Sequence, residues 1–357
     1  MSLFGGQFRG RRVLLTGHTG FKGSWMALWL QHLGAEVTGI ALPPATEPSH
    51  WAMTAPPLRS LLIDVRDASA VAAAVHAHRP EIVFHLAAQA LVRPSYLQPL
   101  ETWSTNVMGT AHVLEACRQT PGVRAIVVVT SDKCYDNPET GQAFAETDPL
   151  GGHDPYSASK AATELVAASY RRSFFANGPL LATARAGNVI GGGDWAADRL
   201  LPDLVRGLQS GQPAVIRRPE ATRPWQHVLE SVSGYLLLGQ RLLAGDAAVA
   251  GAWNFGPGPE GNVTVGDMLE GLRRHWPGLA WRVDRDESRH EARLLQLDTG
   301  KARRLLAWRP VWNLDRTQAA TAEWYSHYLA QGEALSQRQL QGYVRDAQAA
   351  GLAWATP

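Results

Sequence analysis

Cysteine is nearly absent from this chain: 357 residues hold two, Cys117 and Cys134. That excludes a disulfide framework, and with no CxxC or Cys/His ligand spacing no metal site is expected. Charge of one sign is missing as well. Lys+Arg total 34 against Asp+Glu 32, a net charge of +2, which leaves no electrostatic footprint for nucleic acid or an anionic membrane. No stretch reaches the about 18 apolar residues that a bilayer-crossing helix needs. The N-terminal MSLFGGQFRGRR runs straight into an apolar strand, without the apolar stretch and cleavage site of a signal peptide. A reducing cytoplasm is the expectation. Internal repeats, charge blocks and low-complexity tracts are absent apart from mild alanine enrichment. Thirteen tryptophans are scattered rather than clustered, and they read as packing residues, as does Cys117 in an apolar helical run.

What remains is an alternation. Arg12–Thr16, Glu36–Leu42, Arg59–Val65, Glu81–Leu86 and Val123–Thr130 read as buried strands. Ser24–Leu33, with Trp25, Leu28, Trp29 and Leu33 at helical spacing, and the alanine-rich Ala68–His78 read as helices between them. Strand and helix repeated in this way predict an α/β fold with a Rossmann-like, doubly wound parallel sheet. After about residue 180 the pattern loosens into a strand (LLATARAG), a glycine-rich GNVIGGGDW and a helix near 199–210. The expected division is a dinucleotide-binding domain over 1–180, with elements returning from about 225–255, and a smaller interwoven substrate lobe over 181–357.

Gly17, Thr19, Gly20, Phe21, Lys22 and Gly23 form a GxxGxxG turn between the first strand and the first helix. Glycines there permit a tight turn and a close backbone approach to a pyrophosphate, which the helix N-terminus then receives. A glycine triplet alone also serves as a plain turn; its place between strand and helix favours the dinucleotide. Asp64-Val65 and Leu86-Ala87-Ala88-Gln89 end two further strands and are expected beside adenine and ribose. After the second strand stands neither the acid that holds a ribose 2′-hydroxyl nor a cation for a 2′-phosphate, so NAD is favoured over NADP. About 135 residues beyond the glycine turn, Tyr156 and Lys160 form a YxxxK pair on one helical face. The lysine can lower the phenol's pKa and hold a ribose while the tyrosine exchanges a proton with a substrate hydroxyl. The pair follows Thr130-Ser131 at a strand end by about 25 residues.

These segments, with TSDKCYDN (130–137), DPLGGHDPYSASKAATEL (148–165), ARAGNVIGGGDW (184–195), RPWQHVLE (223–230) and AWNFGP (252–257), resemble the extended short-chain dehydrogenases/reductases, and within them the CDP-glucose 4,6-dehydratase family. The resemblance runs from about residue 11 to 313. It implies bound NAD, a CDP-hexose substrate, a hydro-lyase reaction and a place in 6-deoxysugar synthesis for lipopolysaccharide O-antigen. In that reaction the C4 hydroxyl is oxidised, water leaves across C5–C6, and hydride returns to C6. Many such dehydratases carry Thr-Asp-Glu where this chain has Ser131-Asp132-Lys133, a departure shared by the CDP-glucose subgroup. The resemblance makes Asp132 the acid for the departing C6 hydroxyl and Ser131 a partner of the C4 oxygen. Lys133 is either the C5 base, if its environment neutralises it, or a fixed cation. Substrate contacts are expected from Arg223 to the diphosphate, and from Asn188, Ser95, Arg199, Gln226, His290 and Arg293. Asn106 is expected at the cofactor, buttressing the Tyr156 helix, and His227 as a structural residue. A homodimer through helices at about 101–118 and 156–175, with a tetramer as the alternative, is also implied. Three other readings stay open: the same dehydration on a dTDP-, GDP- or UDP-hexose; a nucleotide-sugar 4-epimerase or reductase, which needs no elimination acid; and a non-catalytic dinucleotide-sensing scaffold, which would not need both Tyr156 and Lys160.

Overall fold

A computed structural model describes residues 3–284 and 292–356. Six parallel strands form in chain order: β1 (Arg12–Thr16), β2 (Glu36–Ala41), β3 (Arg59–Leu62), β4 (Ile82–His85), β5 (Ala125–Val129) and β6 (Leu180–Ala186). A seventh, Ala252–Phe255, pairs with β6, giving the spatial order β3-β2-β1-β4-β5-β6-seventh. The order reverses between β1 and β4, the crevice where doubly wound sheets bind ligands. The strands read as unbroken apolar runs because both faces are covered. Val13, Leu15, Ile82, Phe84, Ala125 and Val127 enter one core, and the alternate Leu14, Val83, Ile126 and Val128 enter the other.

Helix α1 (Phe21–His32) starts three residues before the predicted stretch and ends one residue before it. It is buried all round from Gly23 to Leu30 rather than along one stripe. The cause lies at the far end of the chain. Helix Ser336–Ala349 and the residues after it pack on α1, so Trp29 meets Tyr343 edge-on at 5.6 Å and Trp354 at 5.7 Å. Strand β3 stops at Leu62, short of the expected Val65. The scattered tryptophans converge: Trp25 stacks on His50 at 4.8 Å, Trp324 packs on Tyr328 at 5.5 Å, and Trp195 meets Tyr325 at 5.4 Å. Together they hold the 191–195 loop from behind, with Trp25 Nε1 donating to the Gly192 carbonyl at 3.0 Å. Among the described residues, no helix is long and apolar enough to cross a membrane.

A methyl group at Gly192 would lie 2.0 Å from the Trp324 ring, which is itself wholly enclosed. Gly192→Ala is therefore expected to cost about 3 kcal/mol and to lower Tm by roughly 5 °C in a thermal melt, whereas the open Gly245, whose added methyl meets nothing within 4 Å, marks where the same change strains only the backbone.

Candidate active site

A cleft of about 640 Å³ opens over the carboxyl ends of β1, β4, β5 and β6. Its floor at one end is the glycine turn. Gly17 has φ +74°, and a Cβ there would stand 2.7 Å from the Ala87 amide nitrogen; one on Gly23 would stand 2.0 Å from the Gly17 carbonyl. Only glycine lets the turn, the β4 end and the helix start close on one another. Gly20 begins α1 with no side chain capping it, so the first-turn N–H groups face the cleft ready for an anion. Thr16 fastens the two strand ends: its hydroxyl accepts from the Leu86 and Ala87 amides at 3.1 and 3.0 Å and lies 2.7 Å from His85 Nδ1. This cradle fits a dinucleotide pyrophosphate. Beyond it, Asp64, Val65 and Leu42 line the adenosine end, where Arg66 is held by Asp64 at 2.5 Å.

At the centre stand Tyr156 and Lys160, 7% and 5% exposed, on helix Pro155–Ser173. Asp154 caps that helix by accepting from the Ser157 amide at 3.0 Å, and Pro155 occupies its first position. Ser131 starts the short Asp132–Cys134 turn, accepting from the Lys133 amide at 3.2 Å and donating to Asp132 Oδ1 at 3.0 Å. The other carboxyl oxygen, Oδ2, is buried and unpartnered. Burial pushes Asp132 above the usual carboxylate range, against the pull of Lys133, the Ser131 hydrogen bond, Arg223 and Lys22. Burial also brings Lys160 down to about 8 and Lys22 down to about 8. The Tyr156 phenol moves opposite to the expectation. Desolvation pushes it up to about 12, outweighing a hydrogen bond with Ser131 and the nearby Arg199 charge. Four lysines serve the whole chain, Lys22, Lys133, Lys160 and Lys301, and the first three line this cleft.

The substrate end is cationic. Arg223, 4% exposed, donates to the Thr222 and Arg293 carbonyls at 2.9 and 3.2 Å while lining the cleft. Arg199 also lines it, held by Asp194 Oδ2 at 2.9 Å, and Asn188 sits between them. Other expected contacts lie elsewhere. Ser95 is fully buried; its hydroxyl donates to the Val92 carbonyl at 2.6 Å and accepts from the Tyr156 amide at 3.2 Å, so it supports the helix start instead of touching a hexose. Gln226 is enclosed and donates to the Phe255 carbonyl at 3.0 Å. Arg293 projects outward, and only its backbone serves the site. His290 lies outside the described residues. Asn106 does not line the cleft; it clamps Gln89 through both backbone groups (2.8 and 3.0 Å) and donates to Ser159 at 2.8 Å. Thr130 reaches the cleft edge but spends its hydroxyl on Glu164 at 2.5 Å. His227 accepts from the Leu229 amide at 3.2 Å and packs on Trp312. Among the described residues no cluster of His, Cys, Asp or Glu is placed to hold a metal ion.

Residues 13–255 match the NAD dependent epimerase/dehydratase family. The chain belongs to that family. A CDP-glucose 4,6-dehydratase of Salmonella typhimurium is 45% identical over 348 residues, covering 94% of this chain and 97% of that protein. A dTDP-glucose 4,6-dehydratase of Streptomyces griseus is 30% identical over 256 residues, 71% of this chain and 74% of the other. Among solved structures, the Thermus thermophilus UDP-glucose 4-epimerase in complex with NAD superposes with a TM-score of 0.76 at 25% identity, covering 88% of this chain and 99% of that one. MoeE5 with UDP-glucuronic acid and NAD gives 0.75 at 26%, with the same coverage. Membership accounts for the glycine turn, the parallel sheet and the Tyr156–Lys160 pair in one architecture.

The reassignment of Ser95 has a measurable side. Ser95→Ala is expected to cost about 1 kcal/mol of stability through the loosened helix start and to leave substrate KM within about two-fold, since a uniform binding contact is not lost; a KM rise above ten-fold in steady-state kinetics would restore it as a hexose contact.

Proposed function

We propose that this protein converts CDP-glucose to CDP-4-dehydro-6-deoxyglucose and water, as a hydro-lyase with a retained NAD. The observation that carries the reading is Asp132: a buried carboxyl with a free oxygen at the cleft, beside Ser131 and Tyr156. Elimination needs such an acid, and epimerisation at C4 does not. The 45% likeness to a CDP-glucose 4,6-dehydratase points the same way and is the ground for choosing cytidine. The glycine turn would hold NAD, which would supply a hydride acceptor for C4 and a hydride donor for C6. Tyr156, once it has given up its own proton, receives the C4 hydroxyl proton, with Ser131 beside it and the Lys160 ammonium one helical turn away to favour the phenolate. The C4 ketone acidifies C5–H, and Asp132 hands its proton to the departing C6 hydroxyl, which leaves as water. Lys133 takes the C5 proton and returns it to C5 as hydride reaches C6, or, as a fixed cation, steadies the enolate while a water molecule carries that proton away and back. Arg223 grips the diphosphate, with Asn188 and Arg199 facing the sugar.

NAD is favoured over NADP because the cation at the ribose end, Arg66, is already paired with Asp64 and faces Glu101. The first 180 residues with 225–255 serve the dinucleotide, and 181–357 mainly the nucleotide sugar. Leu100, Leu165 and Met108, 82%, 61% and 50% exposed on neighbouring helices, form the face through which we expect a homodimer, singly or paired into a tetramer. Two buried free thiols suit the cytoplasm, and 6-deoxysugars of surface polysaccharide are the destination we propose.

Incubation with CDP-, dTDP-, GDP- and UDP-hexoses should yield the alkali-developed 4-keto-6-deoxy chromophore with CDP-glucose alone; 4-epimer without chromophore would replace dehydration by epimerisation. Tyr156→Phe is expected to lower kcat about 10³-fold. Asp132→Asn should still oxidise C4 and so build up reduced nicotinamide on the enzyme without releasing water. Because the acid must be protonated and burial raises its pKa, the elimination step is expected to weaken as pH rises through that value. For Lys133→Ala, continued exchange of C5–H with solvent deuterium would exclude the base role. Leu165→Glu should halve the mass seen by sedimentation velocity if the helical face pairs two copies.

A further inference from the structure

The helix of Tyr156 and Lys160 carries a third residue at the same four-residue spacing, Glu164, which does not line the cleft. Its carboxylate is enclosed, 4% exposed. One oxygen accepts from the Thr130 hydroxyl at 2.5 Å; the other accepts from Thr183 Oγ1 at 2.7 Å and Arg185 Nη2 at 2.8 Å. Thr130 closes β5 one residue before Ser131, and Thr183 and Arg185 lie on β6. Arg185 continues to the Tyr135 hydroxyl at 2.8 Å and the Glu146 carbonyl at 3.3 Å, and Tyr135 donates to Asn254 on the seventh strand at 2.7 Å. Tyr135 is two residues past Lys133. One carboxylate is thus bonded to the residue before Ser131-Asp132-Lys133 and, through one guanidinium, to the segment after it.

We propose that Glu164 is a positioning residue for the chemistry at this cleft: it sets the height and rotation of the Tyr156–Lys160 helix against Ser131-Asp132-Lys133 and is the buried anionic counterpart of the Lys160 ammonium. Only the kinetic arm of its test rests on the dehydratase reading. A stabilising ion pair alone would not require this arrangement, since a buried pair is often replaceable by apolar side chains at no loss of stability. Here one hydrogen bond comes from Thr130, next to Ser131, and Arg185 links the same carboxylate to Tyr135, two residues past Lys133.

The charges around Lys160 give the same answer. It faces Glu164 from its own helix, Cys134 from the turn after Ser131, Lys22 from α1 and His85 from β4. Burial holds the Cys134 thiol well above its usual range and brings His85 down to about 3, so both are neutral near pH 7. Lys22 repels. Among these four, Glu164 is the one anion, and Arg185 and Arg171 face it in turn. Lys160 already sits at about 8 through desolvation; with the carboxylate gone its ammonium would discharge inside the neutral range.

With four lysines in the sequence, the side-chain Cε signals of carbon-13-labelled lysine form a spectrum simple enough to assign by single Lys→Arg substitutions. The full chain, NAD-free and NAD-loaded, is titrated by NMR as wild type and as Glu164→Gln, and the Lys160 midpoint is expected to fall by about one pH unit or more. Gln leaves Arg185 buried without a counter-charge, so the double variant Glu164→Gln/Arg185→Met, neutral inside, is titrated beside it and decides if the single variant does not fold. In the kinetic arm, the alkaline limb of kcat/KM for CDP-glucose should move down with the NMR midpoint, kcat should fall about ten-fold with KM little changed, and Glu164→Asp should recover the limb. An unmoved Lys160 midpoint in a folded variant overturns the proposal, as does a kcat within two-fold of wild type with an unmoved limb. If the wild-type chain dehydrates no nucleotide sugar, the dehydratase reading fails instead, and the NMR titration alone decides the role of Glu164.

Discussion

Glu164 and Arg185 meet at 2.8 Å with both side chains 3% exposed. Losing either would leave the other charged and dry, a cost of about 3–5 kcal/mol. Because one partner belongs to a helix and the other to the sheet, the pair forbids sliding between those layers. The Tyr156 and Lys160 side chains lie on the same helical face, so this contact joins the Val129 carbonyl, which accepts from Lys160 at 3.4 Å, in fixing their position over β5 and β6. Asn106 makes a corresponding link on the other side of the helix, joining the β4 end at Gln89 to Ser159.

Desolvation then gives the cleft its chemical character. It disfavours every charged form, raising Asp132 and Tyr156 and lowering Lys22 and Lys160. Burial thereby favours a protonated carboxyl and a neutral amine more than water-exposed copies of the same side chains would. The cationic end is built from Arg223 and Arg199, whose planar guanidinium forks suit a diphosphate. A diphosphate and proton-transfer groups can therefore share one cavity.

Local spacing made much of this readable in the residue order. A glycine turn after a strand and a tyrosine four residues before a lysine encode their geometry within one turn of backbone, and both lie in the cleft. Strand identity was equally legible where apolar runs alternate between two cores, as at Val13, Leu14 and Leu15. What escaped depends on partners far apart in the chain. Ser95 in Arg93-Pro94-Ser95-Tyr96 was expected at the hexose, and its hydroxyl accepts from the amide of Tyr156, 61 residues later. Glu164 and Arg185 gave no signal, since a carboxylate at helical spacing and an arginine in a strand each resemble ordinary surface residues until β6 brings them together. The phenol's upward shift was misjudged for a related reason: helical spacing predicts a neighbouring ammonium but not how thoroughly water is removed. The tryptophans, scattered in order, converge because the C-terminal segment folds back onto α1.

The allocation of basic residues has a practical side. With arginine supplying nearly all outward cations, lysine amines are confined to the cleft and to Lys301, which is tied down by the Ala252 carbonyl at 2.7 Å. Reagents that acylate amines, including those used to tether proteins to beads or to attach dyes, will find few lysine targets on the outside. Coupling through carboxylates or an appended tag would spare the interior, and slow acylation of the remaining amines becomes a gauge of how often the cleft admits small molecules.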